Sequence, residues 1–184
     1  MSKRRHCRAP LFSPVLADVH GEVIKVRGVN ISQGGVLLDY LPEEMPESFK
    51  ILFCLPRFPN FSKVDRKIIN MMDRHGLEHD FVKATVQHTR KRNAPKSFCH
   101  GYQFISESVD FDKIILNYTI QMVSNLSFYL SLFELLDRSS QVEHEERCIR
   151  SLARLLGHED KEKAIALSSL RARGLHDFQN LDQL

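Results

Sequence analysis

GEVIKVRGVNISQGGVLLDY, residues 21–40, carries two runs of β-branched and aliphatic side chains, 21–31 and 35–40, about the turn-forming Asn-Ile-Ser-Gln-Gly-Gly of 30–35. Val, Ile and Leu at this density suit a pleated, half-buried surface, while Asn, Ser and Gly bring the local hydrogen bonding and backbone freedom of a reversal. The stretch therefore reads as two strands joined by a turn. Outward from it, LFSPVLADV (11–19) and SFKILFCL (48–55) repeat the pattern, and DFVKATVQHTR (80–90) and SFCHGYQFI (97–105) add a pair joined by KRNAPK as a hairpin tip. These six strands lie close together, with no helix long enough for parallel crossovers. They imply a mainly β fold with an α extension, built on a small six-stranded antiparallel barrel.

The remaining sequence reads as helix. An insertion at 57–80 is too long for a hairpin loop and predicts a short helix over Val64–Arg74, ending near Gly76. After Val109 a long closing helix runs to about residue 138, with Phe111, Ile115, Tyr118, Met122, Tyr129 and Leu136 on one apolar seam. Leu116, Val123, Leu126, Leu130 and Phe133 make a second seam beside it. Two seams exceed what one barrel mouth covers, which raises the expectation of a homo-oligomer formed through the 110–138 helix. Ile114–Phe133 holds no charge over the length of a membrane span, but Asn117, Gln121, Ser124, Asn125, Ser127 and Ser131 interrupt it, so membrane insertion is not expected. Residues 139–184 form a helical C-terminal extension: Val142, Ile149, Leu152 and Leu156 recur at helical spacing, and KEKAIALSSLRAR follows as a further helix. The chain thus divides into 1–138, a barrel with an N-terminal arm, the insertion and the closing helix, and 139–184.

Composition narrows the function. A chain of 184 residues with 42% hydrophobic and 27% charged side chains can bury a core, and 26 positive against 23 negative groups leave a net charge of only +3. That balance does not make nucleic acid a default partner. Cys7, Cys54, Cys99 and Cys148 are too far apart for a short-spaced zinc or dithiol motif. The basic N-terminus lacks the apolar run of a secretory signal, so a cytoplasmic location without disulfides is expected. His75 and His79 flank Gly76 without the order of a zinc-protease helix, and Cys7 beside His6 has no orienting third group. No metal, no cofactor and no enzymatic activity are therefore expected.

Positive charge gathers in the arm, at Lys3, Arg4, Arg5 and Arg8, and at the hairpin of Lys83, Arg90, Lys91, Arg92 and Lys96. Such groups are ordinarily solvated for solubility. What distinguishes the arm is its combination with the 30–35 turn: Arg4-x-x-x-Arg8 precedes Asn30-x-Ser32-x-x-Gly35 on a small β-rich domain. This combination resembles the PilZ domain, a family of bacterial receptors for the second messenger cyclic di-GMP. The resemblance spans residues 3–118, with KRRHCR similar to the family's basic leader, NISQGG to its Asp/Asn-x-Ser-x-x-Gly motif, and HGYQF (100–104) to the strand that closes its barrel. The long insertion and the helical tail depart from the family pattern, as does the expectation that no domain stands upstream.

The resemblance implies a cyclic di-GMP site made of Arg4, Arg5, Arg8, Asn30, Ser32, Gly34 and Gly35, and an output through an unidentified protein effector. The chemistry suits that ligand. Arginine pairs with phosphate oxygens or with guanine O6 and N7 while stacking on a base, whereas lysine does only part of this. Asn30 and Ser32 offer short hydrogen-bonding groups to a guanine edge, and Gly35 permits close backbone approach. The competing reading is a scaffold that keeps the barrel and works through its helices without ligand.

Overall fold

The computed structural model describes residues 6–11, 13–42, 44–91, 100–105, 109–136 and 142–157. Its strands are β1 (Ala9–Pro10), β2 (Pro14–Val19), β3 (Glu22–Ser32), β4 (Gly35–Asp39), β5 (Ser48–Pro56), β6 (His79–Lys91) and β7 (His100–Phe104). All pairings are antiparallel, in the order β3-β2-β5-β6-β7-β4, and β4 pairs back onto β3. Six strands therefore close into a barrel, with β1 added alongside β3. The strand expected over 11–19 is divided: Ala9–Pro10 pairs with Asn30–Ile31, and a separate strand begins at Pro14. Pro10 and Pro14 have no N–H for a ladder, which accounts for the break between them.

Alternation places the core. In β2 and β5 every second residue points inward, so Val15, Ala17, Val19, Phe49, Ile51 and Phe53 are buried. Val26, Ile31, Val36, Leu38, Val82 and Val86 are buried on the other strands. Phe49 meets Tyr102 edge to face at 5.0 Å. Each aliphatic side chain buried this way contributes about 1.5–3 kcal/mol. Two local devices shape the wall. The β2–β3 turn has positive φ at both His20 (54°) and Gly21 (87°), the backbone of a type I′ hairpin, and the Gly21 N–H donates to Asp18 Oδ1 at 3.2 Å. A bulge between Gly28 and Asn30 in β3 frees the Val29 carbonyl to accept from the Leu11 N–H at 3.1 Å, and Gly28 leaves the space that the Leu11 side chain fills.

Helices α1 (Arg66–Met71), α2 (Val109–Leu136) and α3 (Val142–Leu156) complete the described structure. Two compact units emerge, one from the described residues of Met1–Arg57 and His79–Thr119, the other from those of Phe58–Glu78 and Ile120–Leu184. In this division the insertion shares a unit with the distal part of α2.

In the first unit, Phe111 meets Phe104 of β7 at 4.8 Å, Ile115 is fully buried, and the Tyr118 hydroxyl donates to the Pro10 carbonyl at 2.6 Å. Arg57 Nε donates to both Asp80 carboxylate oxygens at 3.0 Å, tying together the chain ends from which the insertion departs.

In the second unit, Asn125 is fully buried, accepts from the Phe61 N–H at 3.0 Å and donates through Nδ2 to the Pro59 carbonyl at 2.9 Å. The helix expected over Val64–Arg74 is shorter, because Asp65 caps its start and Asp73 caps a separate 3-10 turn at Arg74–Gly76. Helix α3 buries Cys148, Ile149, Leu152, Leu155 and Leu156 and ends at Gly157, whose φ is 76°. The further helix expected over 161–173 lies outside the described residues.

Part of the apolar surface of α2 is covered within the single chain. Leu126, Tyr129, Leu130 and Leu132 are already buried within the single chain, at 0–2% exposure. On the same helix Leu116, placed on the second seam, is exposed. Among the described residues no helix is long and apolar enough to cross a membrane.

Candidate functional site

A cavity of about 290 Å³ opens on the barrel unit where the arm meets the β3–β4 turn. One wall comes from the arm, as His6 and Arg8, and another from the turn and its flanking strands, as Asn30, Ser32, Gly34 and Gly35. Thus Arg8, Asn30, Ser32, Gly34 and Gly35, separated by more than twenty positions in sequence between arm and turn, line one space. Arg4 and Arg5 lie outside the described residues, as does Arg92; Arg90 and Lys91 fall at the end of β6.

The pairing of strands explains this assembly. Ala9 and Pro10 pair with Ile31 and Asn30, so Arg8 is delivered beside the end of β3. Ser32 faces Gly35 across the two-residue loop Gln33–Gly34, and its hydroxyl donates to the Gly35 carbonyl at 3.4 Å. Asn30 and Ser32 are each 8% exposed, so their polar groups are held within the wall rather than spread over solvent. Gly35 has a reason other than ligand approach. A Cβ there would stand 2.1 Å from the Tyr102 carbonyl oxygen, so the residue lets β4 close onto β7. At Gly34 a Cβ would stand 3.1 Å from His6 Cδ2, and the missing side chain makes room for the arm.

The third wall was not among the site residues expected from sequence. Thr89, Gly101, Tyr102 and Gln103 complete it from β6 and β7. Thr89 sits in the bulge between His88 and Arg90 and donates its hydroxyl to the Gly101 carbonyl at 3.0 Å. Gln103 stands opposite Gly35 in the β4–β7 ladder. HGYQF was legible as a closing strand, but its register against β4 carries no local signal. Below the wall, His88 and Tyr102 rings lie 5.4 Å apart, and His88 Nε2 and the Tyr102 hydroxyl are buried without a hydrogen-bond partner. Burial pushes the Tyr102 hydroxyl up to about 12.

Chemically, the cavity joins a guanidinium, an imidazole, an amide and hydroxyls, and no carboxylate is among its described lining residues. It is suited to an anion that also presents hydrogen-bonding edges.

No family model and no curated protein matches the chain. Among solved structures it is similar to the Bacillus subtilis inhibitor of motility MotI/DgrA, at 18% identity and a TM-score of 0.48 over 66% of this chain and 51% of that one. The match thus spans about half the length of that protein. It is also similar to the PilZ domain with c-di-GMP of YcgR from Escherichia coli, at 15% identity and a TM-score of 0.39 over 77% of this chain and 100% of that one.

Proposed function

We propose that the chain is a cyclic di-GMP receptor that binds the dinucleotide in the cavity between arm and turn and relays its presence to a protein effector. The observation that supports this reading is the meeting of Arg8 with Asn30, Ser32, Gly34 and Gly35 around one space. In this reading Arg8 pairs with a phosphate or a guanine Hoogsteen edge, and Asn30 and Ser32 hydrogen-bond the base. Arg4 and Arg5, the other arginines of the leader, add positive charge to the same ligand. Ordering of the arm over the ligand then changes the surface offered to the effector. The protein acts by binding, with no chemical step.

Calorimetric titration with cyclic di-GMP, GTP and a short single-stranded oligonucleotide tests the proposal. Saturable binding of cyclic di-GMP alone is expected. Absence of that binding overturns the receptor reading and favours the ligand-independent scaffold, and binding of the oligonucleotide redirects it to nucleic acid.

A further inference from the structure

Two aromatic rings line the cavity, and they are differently placed. Tyr102 is 3% exposed and packs edge to face against Phe49 in the barrel core. His6 is exposed on the arm, two residues before Arg8. Its ring lies against the β3–β4 turn: from the position a Gly34 Cβ would occupy, Cδ2 is 3.1 Å away, Nε2 3.7 Å and Cγ 4.0 Å. The ring is exposed, and His6 is among the residues that border the space. The glycine at 34 eases this placement, since a Cβ there would ask the ring to give by a few tenths of an ångström.

Resting on the receptor reading, we infer that His6 is a recognition residue whose imidazole stacks on a base of the bound dinucleotide. A purine ligand gains substantially from an aromatic face, and the polar walls of this cavity offer hydrogen bonds but no other exposed ring. Arg8 and His6 then divide the work, the guanidinium taking charge and edges, the imidazole taking a base face.

The inference separates from a hydrogen-bonding role of the same side chain. His6→Phe keeps an aromatic ring and loses both nitrogens; His6→Gln keeps polar hydrogen-bonding groups and loses the ring. Full-length wild type and both variants are titrated with cyclic di-GMP by calorimetry, with circular dichroism melts to show that each is folded. Retention of affinity within about threefold by His6→Phe, with a loss of at least about fivefold in His6→Gln, is expected for stacking. Proton NMR adds a readout that a purely structural role would not move: the guanine H8 resonance shifts upfield on binding to wild type and His6→Phe, and does not in His6→Gln. Equal affinities in all three proteins overturn the inference and leave the receptor reading standing. Loss in His6→Phe, alone or together with His6→Gln, also overturns it. No binding by wild type overturns the receptor reading and the inference with it.

Discussion

Arg8, Gly35 and Tyr102 meet at one cavity for three different physical reasons, and each predicts a different failure. Arg8→Ala should leave the fold intact and weaken cyclic di-GMP binding about ten- to a hundredfold, because charge-assisted hydrogen bonds of about 1.5–3 kcal/mol are lost; Arg8→Lys should recover only part. Calorimetry checks both, and unchanged affinity in the alanine variant removes Arg8 from the site. Gly35→Ala should instead cost stability, about 1–3 kcal/mol, since its Cβ would meet the Tyr102 carbonyl and push β4 from β7. Chemical denaturation without ligand reads this directly. Tyr102→Phe should be neutral or stabilising, because the hydroxyl is buried without a partner. The Tyr102 pKa is raised from 10.0 to about 12, so the native state holds its proton after the unfolded chain has begun to lose it. Its contribution is thus fully present below about pH 10 and is lost as pH rises toward 12. Wild type should weaken over that window, and Tyr102→Phe should weaken less, as followed by urea midpoints at each pH.

Elements follow the sequence wherever the signal is local. The hairpin of 21–40 is legible because β-branched runs flank a turn whose Asn, Ser and Gly have local reasons to reverse the chain, and β3 and β4 form there. Helices α2 and α3 are legible from periodicity, with Ile149, Leu152 and Leu156 buried where their spacing places them. Half of the cavity is legible for the same reason: arm and turn carry motif residues. The wall of Thr89, Gly101 and Gln103 is not, because it depends on the register of β7 against β4 and on a bulge in β6, both set by long-range pairing. The insertion is the other miss. Polar Asn125 reads as an interruption in an apolar helix, whereas it is the fully buried group that binds the insertion through Phe61 and Pro59. Asn125→Ala should therefore cost about 1–3 kcal/mol by leaving the Phe61 N–H without its partner. Hydrogen exchange should show the Phe61 amide losing protection; retained protection would mean that another acceptor replaces Asn125.

For the whole molecule, the question is whether the apolar length of α2 serves association or the interior of a single chain. Tyr129 and Leu130 bear on it by their position: each is 2% exposed within the single chain. A carboxylate at either place must enter a desolvated apolar environment, where it has to be neutralised or force the surrounding packing apart. Leu130→Glu is therefore expected to unfold the unit that contains it, at a cost of several kcal/mol, and not to release a folded monomer from a dimer. Light scattering and circular dichroism distinguish the outcomes. If wild type scatters as a dimer and Leu130→Glu as a monomer with undiminished helix content and melting temperature, the residue belongs to an interface and its burial within one chain is not what holds it. If the variant loses helix signal or melts well below wild type, the seam is core. The second outcome is the expected one, because a side chain already removed from water by its own chain has no further apolar surface to give to a partner.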